Sequence, residues 1–415
     1  MRILLLTQYF PPETGAAQQR LEDLAKRLSS FGHEVTVLTS LPNYPKGQIF
    51  EEYRGRMFIQ ERRNGIRILR TWAYASRRRS FLRRLLNYFS FAFCAIWAGI
   101  FRAGKQDLVV VESPPLFLGI SGLVLARWRG APMIFNVSDL WPQSAVAMGI
   151  LRNPVIIRAA QTLEGYIYRN SYAITGQTQG IVCDIRGRIS KIPVELITNG
   201  VDPDRFVLPA GKREEMRARL TFGQLCVVGY TGLHGLAQGL DTVLEAAELM
   251  QVSNPEILFV FFGDGPDKSR LQAFAERRKL NNVRFFPPYP ADAMPSVFSA
   301  LDVAVVPLKN LSLFQGALPS KLFESMAAKL PVVLTIDGEA RQLLERAGGG
   351  IYVEAENPVA LAGAFSKLAA DSSLRRDLGE SGSRYVFAYH DRNEMAQRFA
   401  ALLPRETKAS AFSVG

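Results

Sequence analysis

The sequence predicts an α/β protein built from two doubly wound, Rossmann-like domains. Three observations carry this. The 415-residue chain is long enough for two or three domains at about 150 residues each. Short apolar runs alternate with helical stretches along most of it, the pattern of parallel sheets covered by helices. That alternation also starts twice, on either side of a polar stretch near residue 200.

The first half opens with Arg2-Ile-Leu-Leu-Leu-Thr7 as a strand, Arg20 to Ser30 as a helix, and Glu34-Val-Thr-Val-Leu-Thr39 as a second strand after the Gly32-His33 turn. Apolar runs recur at Leu108 to Glu112, Met133 to Val137, Ala173 to Thr175 and Val194 to Ile197. Asn199 to Asp202 and Pro203 to Pro209 read as a linker. Beyond it, strands are predicted at Cys226 to Tyr230, Ile257 to Phe262, Val283 to Phe286, Val303 to Val306 and Val332 to Thr335. Helices are predicted at Arg213 to Leu220, Asp241 to Met250, Ser269 to Arg278, Met294 to Ala300 and Lys321 to Ala328. The expected organisation is a first domain over 1–200, a second over 201–388, and a C-terminal helix with a polar tail over 389–415, the tail from Pro404 disordered. The two domains are expected to face each other across a cleft, with ligands outside the carboxyl ends of the strands.

Composition excludes several classes. With 48% hydrophobic and 21% charged residues the chain is neither collagen-like nor disordered. Three distant cysteines, Cys94, Cys183 and Cys226, make neither a disulfide framework nor a zinc cage and fit a reducing compartment. The apolar start, Met1 to Leu6, is too short for a signal peptide. The longest apolar stretch, Tyr88 to Phe101, falls short of the roughly 18 residues of a membrane span. A cytoplasmic start is expected.

The charge is uneven. Residues 1–200 carry 26 Lys and Arg against 13 Asp and Glu, and Arg54 to Arg84 holds eleven arginines with Glu61 as its one acid. The basic run Arg77-Arg78-Arg79-Ser80-Phe81-Leu82-Arg83-Arg84 leads into aromatic-rich Tyr88 to Trp97. Residues 54–101 therefore read as a membrane-facing segment lying on an anionic surface. A solvated basic face beside a buried helix is the alternative.

Several residues have the chemistry of a binding site. Gly15, followed by Ala16 and Ala17, opens the first helix after the first strand, an anion site to which Arg20 adds charge, although such a turn needs a glycine in any case. Gly232-Leu-His234-Gly-Leu-Ala-Gln238-Gly239 is a matching loop in the second half, and two such turns suit a ligand with more than one phosphate. Leu318-Pro319-Ser320-Lys321-Leu-Phe-Glu324 is the most informative stretch. Pro319 and Ser320 suit a helix start with Ser320 as its cap, the amides and Lys321 suit a phosphate, and Glu324, one turn on, suits a ribose diol. Asp139, at the end of a strand, can take a proton from an acceptor hydroxyl or cap the helix near Pro142. His33 reads as a turn residue, His390 as a surface residue, and His234 as a ligand contact; no metal-ligand spacing occurs.

With these motifs in view the chain resembles the retaining glycosyltransferases of the GT-B fold, family GT4, over nearly its whole length. The matches are Gly32-His-Glu-Val35, Asp139-Leu-Trp-Pro142, Asn199-Gly-Val-Asp202, Gly263-Asp264-Gly-Pro266, Pro319-Ser-Lys-Leu-Phe-Glu324, Met326-Ala and Pro331-Val-Val333. The likeness is greatest to bacterial enzymes that build O-antigen, capsule or exopolysaccharide units, such as fucosamine transferases. It implies metal-independent transfer of a sugar from a nucleotide-diphosphate donor, here a UDP-sugar, with the nucleotide sugar as substrate and no cofactor. It also implies that Glu324 is the second glutamate of the family's E-x7-E motif and binds the donor ribose. Leu318 to Lys321 would cradle the diphosphate, while Gly263 to Pro266 and Phe286 to Tyr289 would flank the base. Lys321 and Asp139 are the expected catalytic groups, with Arg20 and Asp139 on the acceptor side.

Three departures from the family are visible. Gly316 stands where the first glutamate of E-x7-E belongs, Gly232 to Gly239 lacks the usual Arg and Lys, and Ser138 replaces a His before Asp139. Backbone over Gln315 to Leu318 is expected to replace the glutamate, and Lys321, assisted by His234 and Gln238, the two cations. The expected acceptor is a lipid-linked saccharide at the inner face of the cell membrane. A nucleotide-sugar epimerase of the same fold and a basic nucleic-acid binder are the competing functions; the second finds no aromatic stacking platform here.

Overall fold

The computed structural model describes residues 1–44, 47–77 and 81–404, without the side chains of residues 81, 312 and 313. Arg78, Arg79 and Ser80 of the basic run, and the tail from 405 on, lie outside the described residues.

Buried parallel strands must be apolar on both faces, and the runs read from the sequence are such strands. In chain order the elements of the first half are β1 (Arg2–Leu6), α1 (Ala16–Ser30), β2 (Glu34–Ser40), β3 (Phe58–Arg63), β4 (Ile66–Thr71), α2 (Phe81–Phe101), β5 (Leu108–Ser113), α3 (Leu118–Arg129), β6 (Met133–Val137), α4 (Gln143–Ala147), α5 (Pro154–Arg169), β7 (Ala173–Gly176), α6 (Gln179–Arg188) and β8 (Val194–Leu196). Their strands form one sheet in the order β3-β4-β2-β1-β5-β6-β7-β8. All neighbours are parallel except the β3–β4 pair, and Leu4 sits in register between Thr36 and Val109.

The second half contains α7 (Lys212–Arg219), β9 (Cys226–Thr231), α8 (Leu240–Ser253), β10 (Ile257–Phe262), α9 (Lys268–Arg277), β11 (Val283–Phe286), α10 (Met294–Ser299), β12 (Val303–Val306), α11 (Ser320–Ala327), β13 (Val332–Leu334), α12 (Glu339–Ala347), β14 (Gly350–Tyr352), α13 (Pro358–Ala370) and α14 (Ser372–Tyr389). Its six-stranded sheet is parallel throughout, in the order β11-β10-β9-β12-β13-β14. The final helix, α15 (Arg392–Ala401), buries Met395 and Phe399 among Ile3, Leu5 and Ile197. The chain thus divides into Met1–Thr198 with the stretch from Asn393, and Asn199–Arg392.

His390 is buried rather than on the surface. Its ring lies 4.9 Å from that of Phe323, and its carbonyl accepts from the Val201 amide at 2.9 Å. The turn after α14 is thereby fastened to the Gly200–Val201 segment, and a side chain at Gly200 would strike the His390 carbonyl.

The basic segment differs from its sequence reading. Arg54 to Arg84 contains the β3–β4 hairpin at the sheet edge, and one of its arginines, Arg70, faces inward. Arg70 is fully buried, pairs with Glu61 at 2.6 Å and donates to the carbonyl of Pro11, while Arg63 pairs with Glu22 at 2.9 Å. Removing one partner from a buried ion pair strands the other, so Arg70→Met should cost about 3 kcal/mol of stability, read as a lowered denaturation midpoint. The helix that follows is also longer than its apolar run. Leu82–Phe101 has the length and composition to cross a membrane, although a third of that window is buried. Phe91, Ala95 and Ala98 on its inner face belong to the core against the sheet.

Candidate functional site

In the second unit the parallel topology brings the loops after β9, β10, β11, β12 and β13 to one edge, the carboxyl end of the strands. Gly232, Asp264, Tyr289, Gly316 and Pro319 all lie in these loops. Helix α11 begins after Pro319, whose φ of −63° suits the residue before a helix. No side chain caps it: Ser320, expected as the cap, is instead the first helical residue. The Ser320 and Lys321 amides therefore keep their donors at the positive end of the helix dipole, while the Leu322 amide donates to the Pro319 carbonyl at 3.0 Å.

Lys321 extends from this end to the β9 loop. Its Nζ donates to the Tyr230 hydroxyl at 2.7 Å and stands 4.1 Å from the centre of that ring. The same hydroxyl donates to the Leu233 carbonyl at 2.6 Å, so Tyr230 joins the lysine to the glycine-rich loop. Gly232 is exposed, with φ +127°, and a Cβ there would lie 3.1 Å from Nζ. Burial pushes the Lys321 ammonium down to about 7, opposed by the charge of Glu324. Burial likewise raises the Glu324 carboxyl, against Arg205 and Lys321. The arrangement offers an anion one ammonium and a helix start together, with a carboxylate one turn away for hydroxyl groups.

The β9 and β10 loops interlock. The His234 amide donates to the Asp264 carbonyl and its own carbonyl accepts from Asp267, each near 3 Å. A Cβ at Gly263 would lie 1.9 Å from the Gly232 carbonyl, and one at Gly265 would strike the His234 backbone, so both positions require glycine. His234 itself is fully buried beneath the loop, among Tyr230, Phe261 and Phe285, with no hydrogen-bond partner for either ring nitrogen among the described residues. Burial first, then the charges of Lys268 and Lys321, push its imidazole down to about 4. In this conformation it is a neutral support, enclosed rather than open to a ligand. Gln238 is half-buried, with its Oε1 likewise unpartnered. Asp264 is exposed, and Tyr289 packs edge-on against Phe262.

Sequence reasoning missed three groups here. Lys268 donates to the carbonyls of Gly263 and Phe286, at 2.7 and 2.9 Å, and so ties together the two segments expected to flank a base. Lys268→Met should raise the donor KM about tenfold with kcat little changed, the size of a lost charge-assisted hydrogen bond, as initial rates would show. Tyr230 is the second. The third is Glu339, the first residue of α12, whose Oε1 lies 4.0 Å from where a Cβ at Gly316 would stand. A carboxylate thus reaches the spot where the motif lacks one, from an element that the spacing of Gly316 and Glu324 does not include.

In the first unit, Gly15 precedes α1 in extended conformation, and no side chain caps that helix either. Arg20 turns inward and pairs with Glu112 at 2.6 Å. Glu112 also accepts from Ser138 and Asn136, and Thr175 donates to Asn136 at 2.6 Å. This buried cluster fixes the loop that carries Asp139, whose carboxyl is pushed up by burial. Among the described residues no group of three or more His, Cys, Asp or Glu stands together to hold a metal.

Both halves of the chain match known protein families. Residues 212–385 match the family Glycosyl transferases group 1, and residues 15–200 match the Glycosyl transferase 4-like domain. WcaI, an Escherichia coli (strain K12) glycosyl transferase named for colanic acid biosynthesis, is 27% identical over 371 residues, covering 87% of this chain and 90% of that protein. The fold is shared with sucrose-phosphate synthase of Thermosynechococcus elongatus, at TM-score 0.75 and 18% identity, over 97% of this chain and 98% of that one. It is shared also with Anabaena Alr3699/HepE in complex with UDP-glucose, at TM-score 0.71 and 17% identity, over 97% and 98%. The chain is a GT-B glycosyltransferase of the group 1 family, with a glycosyl transferase 4-like domain preceding its group 1 domain.

Proposed function

We propose that the protein moves a sugar from a UDP-sugar to a lipid-linked saccharide in cell-surface polysaccharide synthesis, with retention at the anomeric carbon and without a metal. The observation that carries this reading is the Lys321 ammonium beside the uncapped start of α11. The relatives named for polysaccharide work and for UDP-glucose binding support it.

In this reading the donor diphosphate takes the α11 amides and Lys321, and Glu324 accepts from the ribose hydroxyls. The bond between the anomeric carbon and the diphosphate oxygen breaks as Lys321 and the helix start stabilise charge on the leaving oxygen. The acceptor oxygen bonds to that carbon on the face the diphosphate leaves. Its proton passes to the departing phosphate, and Asp139 orients the acceptor. Glu339, beside Gly316, offers the donor sugar a carboxylate as well as backbone.

The work takes place on the cytoplasmic face of the membrane. An anionic surface suits the arginines at the start of α2 and its exposed aromatic face. Lying on the membrane is favoured over crossing it, because Phe91, Ala95 and Ala98 are core residues.

Thermal-shift screening against UDP-, GDP- and dTDP-sugars tests the donor, since a ligand that binds only the native state raises the midpoint. A UDP-sugar should shift it, and released UDP should appear only with acceptor present. A shift with none of them, or an epimerised nucleotide without acceptor, would contradict the reading.

A further inference from the structure

Nine exposed apolar residues of the first unit lie on two adjacent helices, α2 and α3. Along α2, Leu82, Leu86, Phe89, Phe93, Trp97 and Phe101 recur at steps of three and four, which keeps them on one face, and Phe93 is 75% exposed. Helix α3 packs beside α2 and adds Ile120, Val124 and Trp128 at steps of four. A patch of this kind on one side of a domain marks an interaction surface.

Its charge indicates the partner. Exposed Arg84 stands in the first turn of α2, and just beyond the last turn Arg102 lies over the rings of Trp97 and Phe58 at 5.8 and 5.5 Å. Arginines bounding an aromatic stripe complement an anionic lipid surface.

The stripe has one branch. Phe89 lies 4.3 Å, ring centre to ring centre, from Phe117 in the loop between β5 and α3, and Phe117 lies 5.4 Å from Trp141, edge to face. Phe117 and Trp141 are half-buried, so part of each ring stays accessible. Trp141 is two residues past Asp139. The branch therefore runs to the carboxyl edge of the sheet, where Asn87 of α2 also accepts a hydrogen bond from Gln8, after β1, at 3.1 Å. The three rings connect an exposed apolar face to the loop of Asp139.

We propose that Phe89, Phe117 and Trp141 form the tail-binding subsite of the lipid-linked acceptor. The acceptor's apolar chain leaves an anionic bilayer at Phe89 and lies along the three rings, which delivers its polar head to the loop of Asp139. The inference rests on the acceptor class given under Proposed function.

The test uses the full chain with Trp141 as its single tryptophan, made by Trp72→Phe, Trp97→Phe and Trp128→Phe, and a second protein retaining Trp97 alone. Each is mixed with phosphatidylcholine–phosphatidylglycerol vesicles carrying either brominated phospholipid or a few per cent of brominated polyprenyl phosphate. Trp97 should be quenched by both probes. Trp141 should lose about half of its emission with the polyprenyl phosphate and little with the phospholipid, and Phe117→Ala should abolish that difference. Equal quenching of Trp141 by both probes, or by neither, would overturn the subsite. Should the tryptophan variants not fold, photo-crosslinking of the natural chain with a benzophenone-bearing polyprenyl phosphate gives the same answer, with adducts expected at Phe117 or Trp141 and adducts confined to α2 contradicting it. Sugar transfer is scored separately. Its absence with every nucleotide sugar would defeat the glycosyltransfer reading, whereas an unquenched Trp141 in an active enzyme would defeat the subsite alone.

Discussion

Lys321→Ala should lower kcat at saturating donor by about 10²-fold or more, the size of losing one preorganised group at a developing charge. Lys321 reaches the start of α11 from within that helix, and Gly232 to Gly239, the loop it faces, contributes no cation. The loss should show in kcat, because charge on the leaving oxygen exists fully only in the transition state, and still more in kcat/KM, which also records the lost contact to the bound diphosphate. A pH signature accompanies it. With its ammonium pushed down to about 7 by burial, Lys321 sheds its proton above that value, so donor capture by the free enzyme should weaken between pH 7 and 9. Lys321→Arg keeps the charge across that range and should flatten the profile, at some loss of geometry. Stability moves the other way. Between about 7 and the ordinary lysine value the unfolded chain binds the proton that the native state lacks, so stability from this residue rises with pH over that window and is least below 7.

Glu324→Gln should raise the donor KM by about 10- to 100-fold, the value of hydrogen bonds to a charged acceptor, with a smaller effect on kcat. Titration calorimetry with UDP separates this from chemistry, since ribose contacts are made in the ground state. A second consequence tests the coupling of the two side chains. Glu324 is the charge that holds the Lys321 ammonium up against burial, so the amide should move the alkaline limb of the pH profile to lower pH. A ribose contact with no influence on Lys321 would leave that limb in place.

Most strands were legible because a parallel strand buried on both faces is written as an unbroken apolar run, as in Leu108 to Val111 or Ile257 to Phe262. The α11 candidate site was legible as a pattern because Pro319, Lys321 and Glu324 fall within about a turn and a half of one helix. The β3–β4 hairpin was not, since an edge pair built from Gln60, Glu61, Arg62 and Arg63 reads as a charged run. Apolar counting also missed the extent of α2, whose first turns include Arg83 and Arg84 while the helix continues through them. The remaining site groups depend on distant pairings: Lys321 with Tyr230, Lys268 with Phe286, Glu339 with Gly316, Arg20 with Glu112. Such contacts arise from strand order, which no local pattern records. His234 shows the limit from the other side, because a histidine in a glycine-rich loop reads as a ligand contact until its burial is known.

A crystal soaked with UDP tests the donor site most directly. The β-phosphate oxygens should accept from the first amides of α11, with the Lys321 ammonium drawn from the Tyr230 hydroxyl onto the phosphate. Nucleotide bound elsewhere, with the helix start bare and Lys321 still on Tyr230, would contradict the account.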